Sequence, residues 1–215
     1  MLAIADVEGV PEIDLRCLPA ILHNHPERIA PQMEEAIVRA RAEGAADILI
    51  GYGDCGTGGE LARVAERYGA TMLPGAHCYA FFDGVERFGA RDEIDAFYLT
   101  DFLARHFETF VVGPLKLREH PELRDMMFAH YTKVVHLRQA VTDGLAAAGA
   151  ADAAAFLGLP LEIRRTGYGD LRDALRNGTA TTCSGTDLAS AMPMGQRGKE
   201  VSPRAQGVEV DDGRG

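Results

Sequence analysis

Cys55 stands at the centre of Gly51-Tyr-Gly-Asp-Cys-Gly-Thr-Gly-Gly59, a stretch with five glycines in nine residues. Glycines at this density admit positive φ angles and let a ligand come close to the backbone. A thiol just ahead of a helix start is favoured as thiolate by the aligned amide dipoles, which suits a nucleophile or a soft-metal ligand. Gly53, Gly56, Gly58 and Gly59 are the residues expected to admit a cofactor, with Asp54 and Thr57 as polar neighbours. The bland alternative is a small buried hydrophobe in a structural turn. The run fits neither the dinucleotide fingerprint nor a P-loop with its Gly-Lys-Ser/Thr, so a nucleotide site has little support.

His77-Cys78 is the second constellation. Imidazole and thiolate are metal ligands, or a base beside a nucleophile. Three ligands from two loops (Cys55, His77, Cys78) would leave one coordination position open, as catalytic metal sites do. The chain has no Cys-x-x-Cys, so a zinc-finger framework is not indicated. Cys17 reads as a strand-end thiol, while His23, His25, Glu27 and Arg28 form a polar knot that either caps a helix or lines a site. Thr100-Asp101 and Arg105-His106 read as solvated helix faces or ion pairs.

The elements that position these residues alternate between strand and helix. Met1–Val10 has the spacing of a helix, and Ile13-Asp-Leu-Arg-Cys-Leu18 alternates like a short strand. Ile29, Met33 and Ile37 mark a helix that stops at Gly44, followed by a strand at 47–51, the glycine turn and a helix to Tyr68. Thr71-Met-Leu-Pro74 is a strand leading to Cys78. A strand–helix–strand unit predicts parallel neighbours about 4.8 Å apart, with Cys55 and Cys78 both leaving carboxyl ends, where open α/β sheets hold ligands. Phe81–Phe88 is expected to be buried, Phe97–Phe107 to form an amphipathic helix and Phe110-Val-Val112 a strand. Pro121 opens a helix, Lys133–Leu137 is a strand, Thr142–Leu157 an alanine-rich helix and Leu161–Arg164 a strand. Thr166-Gly-Tyr-Gly-Asp170 starts a last helix with Asp170 as its cap. Gly51-Tyr-Gly-Asp54 and Gly167-Tyr-Gly-Asp170 match over four residues, too few to establish a duplication. The expected fold is a three-layer α/β/α sandwich, Rossmann-like, with a mostly parallel sheet in one domain over 1–177. From 178 to 215 small, polar and charged residues prevail and periodicity ends, as in a disordered tail.

Of 215 residues, 47% are hydrophobic and 25% charged, ordinary for a globular chain that buries a core. A net charge of −10 argues against binding a nucleic-acid backbone, which needs a basic face. No apolar run approaches the roughly 20 residues of a membrane span. No basic segment followed by an apolar core opens the chain, so the expected compartment is the cytoplasm.

Leu18-Pro-Ala-Ile-Leu-His-Asn-His-Pro-Glu-Arg-Ile29, Tyr52-Gly-Asp-Cys-Gly-Thr-Gly-Gly59 and Pro74-Gly-Ala-His-Cys-Tyr79 together resemble the bacterial domain-of-unknown-function family number 1638. Phe97-Tyr-Leu-Thr-Asp-Phe-Leu103, His120-Pro-Glu-Leu-Arg124 and Thr166-Gly-Tyr-Gly-Asp-Leu171 extend the resemblance across nearly all of 1–177. The resemblance carries no established reaction. It implies a setting: members are often encoded beside corrinoid-dependent methyltransferases, corrinoid proteins and their reductive activators, in one-carbon metabolism of methylated amines or similar compounds. It also implies an opening strand that enters a Cys-Gly-Ala-Leu motif. Aligned on Ile13–Cys17, Met1 falls inside the helix that follows, so the expectation is a first strand missing from this chain.

Three functions follow as expectations. The first is a protein that binds zinc, iron, an iron–sulfur cluster or a corrinoid through Cys55, Cys78 and His77, with a corrinoid protein or methyltransferase as partner. The second is a cofactor-independent two-thiol enzyme of racemase type acting on a small molecule. The third is a non-catalytic partner of a methyltransferase assembly.

Overall fold

Ile29, Met33 and Ile37 recur every fourth residue, and in the computed structural model they lie fully buried along α1 (Ile29–Ala42). The structure describes residues 14–73, 75–140 and 142–177. The helix expected over 1–10 and the tail expected from 178 lie outside them. The described residues fall into two compact units, those up to 73 together with 173–177, and those from 75 to 172.

In the first unit, 3₁₀ turns at Ala20–Asn24 and Pro26–Arg28 lead into α1. β1 (Leu49–Ile50), α2 (Glu60–Tyr68) and β2 (Thr71–Met72) follow. The two strands pair in parallel, Leu49 opposite Thr71 and Ile50 opposite Met72, as a strand–helix–strand crossover requires. Leu61 and Val64 of α2 close the core over Ile48, Ile50 and α1. The Arg41 guanidinium fastens the loops at the two helix ends, donating to the Ala45 carbonyl at 2.9 Å and the Tyr68 carbonyl at 3.1 Å. The strand expected at Ile13–Leu18 is reduced to one bridged residue, Leu15, among the described positions. Alternation over six residues does not hold a strand without a ladder of partners.

The second unit holds α3 (Cys78–Asp83), α4 (Val85–Arg91), β3 (Ala96–Thr100), α5 (Asp101–Arg105), α6 (Pro121–Phe128), β4 (Lys133–Arg138), α7 (Gly144–Leu157) and β5 (Leu161–Arg165). It ends in α8 (Gly169–Asn177), whose last residues belong to the first unit. The three strands form one parallel sheet in the order β3-β4-β5, with Leu99 opposite His136 and His136 opposite Ile163. Helices alternating with parallel strands make this a Rossmann-like α/β protein. Gly149 of α7 lies against α5 so closely that a Cβ there would sit 2.2 Å from the Ala104 carbonyl oxygen. Only glycine fits that crossing.

Two expected elements change identity. Phe97–Phe107 is not one helix: residues 96–100 form β3, and α5 begins at Asp101. The apolar positions fit both periods, and the Thr100 hydroxyl, accepting from the Leu103 amide at 3.2 Å, caps a new helix where a continuous one was expected. Phe110–Val112 is not a strand but part of a single π-helical turn, Glu108–Val112, closed by the Gly113 amide on the Glu108 carbonyl at 2.8 Å. Asp170 caps a helix other than its own. Its carboxylate accepts from the Val85 amide at 2.7 Å, at the head of α4. Among the described residues no helix is long and apolar enough to cross a membrane.

Candidate functional site

The glycine turn is organised by the Asp54 carboxylate. It accepts from the Thr57 hydroxyl at 2.7 Å and from the amides of Gly59 at 2.6 Å and Gly58 at 3.1 Å. The Thr57 hydroxyl bond, followed by these amides, holds Asp54 below the usual aspartate range. The donors that would cradle an external anion at the head of α2 therefore already hold an internal one. Gly56, Gly58 and Gly59 have φ of 85°, 63° and 84°, so the turn itself demands them. Gly53 is buried without that demand.

Cys55 takes φ 47° within this turn, a left-handed conformation that side chains other than Asn and Asp rarely adopt. Its half-buried thiol packs against the core built by α1, β1 and α2. A cleft of about 300 Å³ opens beside the turn, where Thr57, Glu27, Glu34, Glu60 and Arg67 meet Pro26.

His77 and Cys78 belong to the second unit. They are adjacent in the chain but face different surroundings. His77 is exposed in extended backbone at the head of α3, with its ring 5.9 Å from Tyr79, whereas Cys78 is buried at 7% exposure as the helix's first residue. Among the described residues no group of three or more His, Cys, Asp and Glu is gathered to hold a metal ion.

The remaining candidates are scattered. Cys17 is half-buried and Arg28 exposed. The His23 ring meets the Ala20 carbonyl at 3.1 Å and stacks 6.2 Å from Tyr52; burial lowers its pKa, so it is neutral at pH 7. His25 lies 3.5 Å from Glu27. The polar knot is thus divided between a packed ring and a solvated pair.

The second unit contains the residues expected on solvated helix faces or in ion pairs, and the ion-pair reading holds for Arg105, paired with Asp143, and for Asp101, facing His136. Thr100 and Asp101 are not on a solvated face; they are 2% and 4% exposed. At the carboxyl ends of β3 and β4, the Asp101 carboxylate accepts from His136 Nε2 at 2.8 Å and from the amides of Ala140 at 2.7 Å and Gln139 at 3.1 Å. The Gln139 side chain returns the contact, its Oε1 accepting from the Asp101 amide at 2.7 Å. A carboxylate only accepts, so Nε2 carries the imidazole proton. Nδ1 has no partner among the described residues. Arg105 pairs with Asp143 at 2.7 Å, and Tyr168 stands between Gly167 and Gly169, both left-handed. Burial first, then the Asp101 charge, raises the Tyr168 pKa. One signal was available: His136 interrupts the apolar run Val134-Val-His-Leu137, and a histidine inside a buried strand needs a buried partner.

The model of a protein family described as protein of unknown function (DUF1638) matches residues 17–175. No curated protein and no solved structure matches the chain.

Proposed function

The chain belongs to the DUF1638 family, and from that premise we propose that it serves corrinoid-dependent methyl transfer in one-carbon metabolism, with Cys55 as a ligand offered to a metal or corrinoid cofactor. The observation that carries the reading is the conformation of Cys55. A residue other than glycine at φ 47° costs of order 1–3 kcal/mol, and four neighbouring positions of the same turn are already glycine. Keeping a strained side chain where glycine would relax points to use of the thiol. The corrinoid setting is what the family resemblance implies.

The turn also favours ligand over nucleophile. Asp54 places its charge on the amides at the head of α2, which competes with the thiol for the helix field. A metal ion needs no such field, because coordination deprotonates the thiol. The donor set does not fit a self-contained metal cage within the described residues, since no three ligating side chains gather there. It fits a single thiolate on a centre that brings its other ligands with it. When bound, such a cofactor would supply the methyl-carrying chemistry; the turn would hold the thiol in place and half shield it from water. Cys78, buried in α3, has no comparable presentation, which weighs against a two-thiol racemase.

The test is elemental analysis with absorption spectra on anaerobically purified protein. Cobalt in the purified protein, or a corrinoid spectrum that shifts on adding the protein, supports the reading. Cobalt-free protein that leaves the corrinoid spectrum unchanged overturns it.

A further inference from the structure

A cleft of about 430 Å³ lies within the second unit, between the loop before α3, the end of α4 and the start of β3. That volume is in the range of small-molecule sites, about 300–1,000 Å³. Its walls are rings: His77, Tyr79, Phe88, Phe97, Tyr98 and Tyr131 all line it. The rings brace one another, with Tyr98 stacked 5.6 Å from Tyr79 and tilted 5.1 Å from Phe88. The acidic residues are Asp92 and Glu93, and among the described residues neither Lys nor Arg lines the cleft.

The two carboxylates have different duties. Glu93 accepts from Lys133 at 2.7 Å, from Arg164 at 2.8 Å and from the Tyr98 hydroxyl at 2.9 Å, so its charge is spent within the protein. Tyr98 is only 7% exposed and already has the Arg164 guanidinium 6.0 Å from its ring centre, so the other rings that line the cleft are the ones left to a ligand. Asp92 is exposed and has no ion-pair partner among the described residues. The cleft therefore combines electron-rich walls with one uncompensated negative charge. An anion finds no cationic partner here. A divalent metal finds too few oxygen ligands, since it takes six or more. A weakly hydrated organic cation finds both things it needs, ring faces and a counter-charge.

We propose that this cleft binds a small alkylated ammonium compound, with the rings of Tyr79, Phe88 and Tyr131 enclosing the cationic head and Asp92 balancing its charge. The cleft belongs to the second unit, does not include Cys55 among its lining residues, and stands or falls independently of the proposed function.

The chain has no tryptophan, and three of its six tyrosines line the cleft, so tyrosine fluorescence follows binding there. Choline is titrated against its uncharged isostere 3,3-dimethylbutan-1-ol, in wild type, Phe88→Leu and Asp92→Asn. Leucine keeps the bulk without the ring face, and asparagine tolerates the left-handed conformation of Asp92 (φ 49°), so both variants keep the fold. The wild type should prefer choline by about 2- to 30-fold. Each variant should lose most of that preference while its affinity for the isostere is unchanged. Equal affinity for the two compounds, absence of a response to either, or a full preference retained in Phe88→Leu would overturn the proposal.

Discussion

At the scale of residues, the account turns on what occupies the donors of the glycine turn. Asp54 fills them, and this separates a structural charge from a functional thiol in adjacent positions. The aspartate has a stability signature with a definite sign. Its folded pKa is lowered, so its contribution is present above the unfolded value of about 3.9 and is lost as pH falls through the folded value. Asp54→Asn should therefore lower stability at pH 7 by about 1 kcal/mol, discounted for partial exposure. The gap to wild type should close on acidification below about pH 4. Urea midpoints at pH 7 and pH 3 read both effects; a gap that widens toward pH 3 would contradict the assignment.

At the scale of elements, Asp101 and His136 bind the end of β3 and the start of α5 to the strand beside them. Both side chains are buried, and the carboxylate serves three donors from β4 and the loop after it. Removing the His136 ring takes one of three donors from the buried Asp101 carboxylate, at a cost of about 1–3 kcal/mol. His136→Ala should show that loss in chemical denaturation, whereas a cost below about 1 kcal/mol would mean that the pair contributes little to the fold. A second fixed point is Gly149, which lets α7 cross α5 at backbone contact. These interactions hold the carboxyl ends of the sheet in register, and Arg105 at the end of α5 pairs with Asp143 at the head of α7.

At the scale of the whole molecule, the chain is an acidic α/β protein whose parallel crossovers were visible in the sequence wherever one period prevailed. α1 was legible from Ile29, Met33 and Ile37, and β4 from Val134-Val-His-Leu137, because each run fits only one spacing. Phe97–Phe107 fits two, and the choice between them was made by pairing with β4, which is long-range information. For the same reason Asp101 looked solvated. Burial of a carboxylate depends on donors 38 and 39 residues away, and nothing in its neighbourhood announces them. The glycine turn was legible as a turn but not in purpose, since glycines that admit a ligand and glycines that admit positive φ are written alike. The same turn supplies the decisive variant. Cys55→Gly removes the thiol and relaxes the strained backbone, so the protein should remain folded with its stability held or raised. Absorption titration of a cobalt corrinoid under anaerobic conditions, on wild type and Cys55→Gly side by side, tests the central claim. The account predicts a spectral change with wild type that disappears in the glycine variant; an identical change in both proteins, or none in either, would contradict it.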